Sequence, residues 1–262
     1  CPKCQGRNRE DWIQTRETEL LPVPYFHVVF TLPEVLNKTA LHEPKMLYDI
    51  LFESAWETLQ TFGKNKNLQM GMIAVLHTWG QNLSLHPHLH CIVPGGGVDE
   101  NGAWKNIKND GKFLFSVKAL SKVFRAKFCE KLKANLKDKF NENQENEYEK
   151  IRQSLWEKPW VVYAKKPFGS PKSVVEYLGR YTHKIAISNG RIRGIDDKTV
   201  TFDYKDYRQK GIKKQMVLSH EEFIRRFAMH ILPKRFVKIR HYGFLSSTWK
   251  RIKLKNLQQK LG

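Results

Sequence analysis

The run His86-Pro87-His88-Leu89-His90-Cys91-Ile92-Val93-Pro94, closed by Gly95-Gly96-Gly97, restricts this chain more than any other stretch. Side chains alternate faces along a strand, so His88 and His90 share one face while Leu89, Cys91 and Val93 turn to the other, into a core. Two imidazoles so placed make a paired metal site. Pro87 and Pro94 bracket the run as a short strand, and the triple glycine lets backbone or ligand come close. Isolated histidines are more often surface or polar core groups. Three within five residues beside a glycine-rich loop favour ligation.

Charge decides what such a site would meet. Among 262 residues, 46 Lys and Arg against 26 Asp and Glu give a formal charge of +20 and a pI near 9.8. An excess of that size invites polyanions, of which nucleic acid is the commonest. No apolar run approaches a membrane span and no signal pattern opens the chain, so a soluble, cytoplasmic protein with no membrane partner is expected. Cys91 and Cys129 lie in apolar contexts and read as buried thiols of a reducing compartment. Cys1-Pro2-Lys3-Cys4 has the spacing of half a zinc site, and no downstream pair completes it. With no initiator Met, the expectation is a fragment whose missing residues carried the other ligands; the other reading is a plain turn with two free thiols.

Along the chain, Tyr25 to Thr31 predicts a strand between prolines, and Leu47, Ile50, Leu51, Ala55, Leu59 and Phe62 recur at helical spacing. Met70 to Trp79 predicts a strand that pairs antiparallel with the histidine strand across a short loop, which brings His77 beside His88 and His90 as a third ligand. Phe113 to Phe140 predicts a basic amphipathic helix, and Asn141 to Glu149 an exposed polar loop. Trp160 to Ala164 predicts another strand. Ser170-Pro171 starts a helix on which Tyr177 and Tyr181 share a face, flanked by Arg180 and Lys184. Two such tyrosines alone are more often core or interface aromatics than nucleophiles. A meander follows, with Asn189-Gly190 as its hairpin turn, then a capping box at Ser219-His220-Glu221-Glu222, a strand over Phe236 to Ile239, and a lysine-rich helix over Thr248 to Leu261.

Taken together, CPKC, YFHVVFTLP, HTWGQNLSLHPHLHCIVPGGG, YLGRYTHKIAISNGRI and FIRRFAMHILPKRFVKIRHYGFL make the chain resemble the rolling-circle insertion-sequence transposases of the HUH two-tyrosine type, over nearly its whole length. The resemblance implies an α+β fold, an RRM-like antiparallel palm carrying the histidines, with packed helices including the tyrosine helix. It implies residues 1–20 as the end of a truncated zinc-binding domain, 21–245 as the catalytic domain and 246–262 as a basic tail. His88 and His90 match the metal pair, and Tyr177 and Tyr181 the two nucleophiles. A third ligand falls to His77, with His86 next. Expected cofactors are Mg²⁺ or Mn²⁺ at the histidines and zinc at Cys1 and Cys4.

The expected partner is DNA, mainly single-stranded transposon ends, with Arg180, Lys184, Arg191, Arg193 and Arg240 as candidate phosphate contacts. A metal-polarised phosphodiester attacked by tyrosine gives a covalent phosphotyrosine that a second hydroxyl can reverse. A replication initiator or relaxase shares this chemistry. A non-enzymatic zinc and nucleic-acid binding module is the remaining alternative.

Overall fold

The computed structural model describes residues 2–107, 114–136, 142–165, 173, 175–177, 179 and 186–261. The helices are α1 (Pro2–Glu17), α2 (Asn37–His42), α3 (Pro44–Lys64), α4 (Val117–Leu136), α5 (Glu142–Glu157), α6 (helical at residues 173, 175–177 and 179), α7 (His220–Ala228), α8 (Ser247–Trp249) and α9 (Lys255–Leu261). The strands are β1 (Tyr25–Thr31), β2 (Gly71–Trp79), β3 (Leu85–Pro94), β4 (Gly96–Val98), β5 (Trp104–Asn106), β6 (Val162–Lys165), β7 (Ile192–Ile195), β8 (Thr199–Asp206), β9 (Ile212–Ser219) and β10 (Ile239–Gly243). Antiparallel pairing gives a central sheet in the order β10-β2-β3-β1-β6, a small β4-β5 hairpin and a second sheet β7-β8-β9. The α+β architecture expected from the motifs is the one observed.

The period-2 pattern gives the central sheet two faces with different work. On one, Phe26, Val28 and Phe30 of β1, Met72, Ala74 and Leu76 of β2, and Leu89, Cys91 and Val93 of β3 pack against the apolar stripes of α3 and α4. Phe124 of α4 is fully buried against Phe30, Phe128 and Trp160, a placement that contributes roughly 1.5–3 kcal/mol by burial alone. Lys131 reaches Glu57 at 2.8 Å and Glu53 at 3.3 Å of α3, so part of α4's charge is used in joining the two helices. On the other face, Tyr25, Ile73, Val75 and Ile92 are covered by Ile13 of α1, Val175 of α6 and the C-terminal residues Phe244, Leu254 and Leu257. The histidines occupy the rest of that face.

Several expectations are corrected. Strand β3 includes both prolines instead of stopping at them. Pro87 falls where the β2-β3 register shifts between His77 and Trp79, and its carbonyl accepts from Leu32 N at 3.0 Å just past the end of β1, so the donor it lacks lies where the β1-β3 ladder has already ended. The triple glycine serves backbone packing: a Cβ on Gly96 would collide with Lys105 O and the Trp104 ring of the paired β5. At about 3.3 Å per residue it lies roughly 20 Å along the strand from His90.

Glu142–Glu157 is helix α5, not the exposed loop expected over its first half, since Glu, Gln and Lys are good helix formers and Ile151 and Leu155 anchor its far end in the core. Asn189-Gly190 forms a 3₁₀ turn. Neither residue takes the positive φ that a type I′ hairpin needs; the β7-β8 reversal falls at Asp196–Lys198. The strand expected over Phe236 to Ile239 begins where that stretch ends, at Ile239, and ends at Gly243, whose φ of +60° and close approach to Met70 O exclude a side chain.

Candidate metal centre

Register builds the site. β3 pairs with β2 so that His77 stands directly opposite His88 and Val75 opposite His90, while β1 places Thr31 opposite His88 and Val29 opposite His90. His77 is therefore across from one imidazole and diagonal to the other. One ligand atom from each of His77, His88 and His90 lies within 4.8 Å of the others. The three rings meet steeply, at 66° to 79°, with His88 Nε2 and His90 Nε2 3.1 Å apart. Trp79 stacks on His77 at 4.5 Å and fixes its plane. His86, the other candidate for third ligand, stays outside this cluster, and its backbone carbonyl accepts from His88 Nδ1 at 2.6 Å.

Burial keeps the His88 and His90 imidazoles neutral. It pushes the His88 pKa down to about 4 and that of His90 well below its ordinary value, with neighbouring histidines adding to the effect. Three imidazole nitrogens converging with no carboxylate among them suit a borderline divalent cation, and each ring needs its second nitrogen satisfied. The donor set fits a bound metal.

His27 of β1 is the neighbour of the cluster that sequence reading missed. Its Nε2 lies 2.9 Å from His90 Nδ1. The two ring planes are 5° apart with centroids at 5.1 Å, the arrangement of imidazoles bonded edge to edge in one plane. Burial, with Lys165 close by, pushes His27 down to about 4. Tyr177 of α6 meets the same ring edge-on at 5.1 Å and 68°. Of the two expected nucleophiles, Tyr177 is thus beside the histidine cluster, and Tyr181 lies outside the described residues. The signal in the sequence was the spacing of His27 within an otherwise apolar strand, one pleat from the residue that pairs with His90.

The expected phosphate contacts divide. Arg180 and Lys184 lie outside the described residues. Arg191 donates to the Asp203 carbonyl at 2.8 Å and to the Gln81 carbonyl, which ties the second sheet to the β2-β3 turn. Arg193 is paired with Asp203, and Arg240 with Asp49 while covering Phe52 at 4.2 Å. Each of these three already has an anionic or carbonyl partner in the fold. Cys1 lies outside the described residues and Cys4 falls on α1. Cys91 and Cys129 are buried free thiols, and no helix among the described residues is long and apolar enough to cross a membrane.

Comparison with known proteins gives this geometry a family. Residues 71–252 match the family described as "Putative transposase", and residues 1–32 match "Transposase zinc-binding domain". The "Putative transposase y4qJ" of Sinorhizobium fredii (strain NBRC 101917 / NGR234) is 43% identical over the whole of this chain and 68% of its own length. The "Transposase for insertion sequence element IS801" of Pseudomonas savastanoi pv. phaseolicola is 29% identical over 94% of this chain and 60% of its own. Among solved structures, the metal-bound conjugative relaxase TrwC in complex with oriT DNA overlaps 42% of this chain and 43% of its own, at 15% identity and TM-score 0.34. TrwC complexed with a 27-mer DNA overlaps 89% and 71%, at 13% identity and TM-score 0.33. Matched over residues 71–252 of its 262, and sharing 43% identity with a transposase of which it spans 68%, the chain belongs to the "Putative transposase" family of insertion-sequence transposases.

Proposed function

We propose that this chain carries the strand-transfer chemistry of a rolling-circle transposase, nicking and rejoining single-stranded DNA through a 5′-phosphotyrosine. The observation that supports the reading most directly is Tyr177 lying against His27, which is bonded to His90 of the three-histidine cluster. His77, His88 and His90 would hold a divalent cation, Mn²⁺ by the softness of the imidazole donors or Mg²⁺ by its abundance. When bound it supplies positive charge that polarises the scissile phosphate. Tyr177 forms the new bond: its phenolic oxygen attacks phosphorus and loses its proton, the P–O3′ bond breaks, and the departing 3′-oxygen takes up a proton. Because the phosphodiester bond energy is kept in the tyrosyl ester, a free 3′-hydroxyl can reverse the step. Tyr181, four residues on, is the second nucleophile, which lets two strand ends be handled in turn. The charge of +20 draws in the DNA backbone, and single strands expose phosphate and bases together. In this reading residues 21–245 form the catalytic unit, residues 1–20 end a zinc-binding unit that includes Cys1 and Cys4, and residues 246–262 are a basic tail.

A denaturing gel of the protein incubated with single-stranded DNA from the element's end tests it. Tyr177→Phe and Tyr181→Phe singly should each abolish transposition, yet at least one should still form a covalent adduct, and the double variant should form none. Phenylalanine keeps the ring, so an unchanged melting temperature excludes unfolding as the cause. An undiminished adduct in the double variant, or a nucleotide mapped by mass spectrometry to a tyrosine outside this helix, refutes the assignment.

A further inference from the structure

A neutral imidazole presents a lone pair at one nitrogen only, and the group bonded to the other nitrogen decides which. For His88 the answer is fixed. Its Nδ1 faces the His86 carbonyl, which can only accept, so the proton sits on Nδ1 and Nε2 is bare. For His90 the partner is His27, whose Nε2 can donate or accept.

We propose that His27 is a positioning residue, which takes the proton of His90 Nδ1 as a hydrogen-bond acceptor, so that His90 Nε2 is turned bare toward a divalent cation, and which braces Tyr177 with the same ring. The inference rests on reading His77, His88 and His90 as a metal site. One proton lies between His27 Nε2 and His90 Nδ1, 2.9 Å apart. When it belongs to His27, the remaining proton of His90 is on Nε2 and donates to His88 Nε2 at 3.1 Å. When it belongs to His90, that Nε2 is bare and the remaining proton of His27 is on Nδ1. Both forms carry two protons on the pair, so changing between them needs no net gain or loss. An imidazole can serve in both forms, which a backbone carbonyl cannot. The near-coplanar rings, 5° apart, favour a linear bond in either form. Tyr177, edge-on to the same ring at 5.1 Å, is placed by the group that orients the ligand.

The test is Co²⁺ binding by the full chain, followed by calorimetry and visible absorption, in wild type, His27→Leu and His27→Gln, with melting temperatures alongside. Loss of an outer partner of this kind weakens metal binding by about 10- to 100-fold. His27→Leu should show that loss and an altered spectrum, and His27→Gln, whose amide oxygen can accept from His90, should recover most of both. Long-range ¹H–¹⁵N spectra of the Zn²⁺-loaded wild type should place the His90 proton on Nδ1, a readout that needs no variant to fold. His27→Leu with wild-type affinity and spectrum, or a His90 proton on Nε2 in the loaded protein, overturns the proposal while leaving the metal site standing. A wild type that takes up no Co²⁺ overturns the metal site and the proposal with it.

Discussion

Gly179 offers a perturbation remote from the histidines whose effect on Tyr177 can be worked from packing. A Cβ built at Gly179 overlaps both Cγ1 and Cδ1 of Ile13, and Ile13 is buried in the layer that covers the histidine-bearing face of the sheet. Rotating the tip of the isoleucine moves Cδ1 but not Cγ1, and a β-branched residue on a helix holds one χ1 strongly. Relief therefore comes from α6 moving off α1. Restoring ordinary contact of roughly 3.5–4 Å requires a shift on the order of 1 Å. Tyr177 sits half a turn away on α6 and is carried along, and a misplacement of about 1 Å costs reacting groups roughly 100-fold in rate. Stability should change less: overpacking costs about 1–3 kcal/mol, offset by about 1 kcal/mol from replacing glycine in a helix. Gly179→Ala should thus cut nicking of single-stranded DNA by about 100-fold in a single-turnover assay, with a small fall in melting temperature and unchanged Co²⁺ affinity. Adding Ile13→Ala, which removes both crowding atoms, should restore much of the rate. Wild-type nicking by Gly179→Ala, or no recovery in the double variant, would show that the α1-α6 contact does not set the position of the tyrosine.

Three further outcomes are expected. If phosphate contacts dominate DNA binding, log affinity should fall linearly with log salt at about 0.7 per neutralised phosphate on single strands; salt-insensitive binding in filter or anisotropy titrations would contradict it. Burial, with Arg16 and Lys250 close by, pushes His241 down to about 4, below its unfolded value near 6.5. The unfolded chain then binds more protons in that window, so stability falls as pH drops from 6.5 to 4 by at most about 3 kcal/mol, and His241→Gln should flatten that part of the denaturation profile in urea melts. Ser219 Oγ accepts from Glu222 N at 3.2 Å as the N-cap of α7, so Ser219→Ala should cost about 1 kcal/mol in the same melts without altering Co²⁺ affinity.

What the sequence made legible follows from physics that acts over short range. The alternation in β3 assigned Leu89, Cys91 and Val93 to the core and His88 and His90 to the opposite face, and the short β2-β3 connection placed His77 across from His88. The cap at Ser219 was readable because its partner is three residues away. His27 was not, because its meeting with His90 depends on β1 entering the sheet beside β3, a pairing across more than sixty residues. The partners of the arginines were hidden for a related reason. Asp49 and Arg240 are distant in sequence, and only the adjacency of β10 and β2 over α3 shows the charge to be committed. In α5, polar composition hid a helix because its anchoring residues, Ile151 and Leu155, come only in the second half.

Strand β1 has a consequence for how this protein can be divided. The segment that matches the zinc-binding family runs to residue 32 and contains all of β1, yet β1 is an interior strand, bonded to β3 on one side and to β6 on the other. Cutting the gene at that family boundary would strip the palm of a middle rib, open two rows of backbone hydrogen bonds and remove His27. The two segments interlock like adjoining planks that share a tongue, so an excision that keeps the sheet whole has to fall upstream of Tyr25, and a chain begun at residue 33 should not fold.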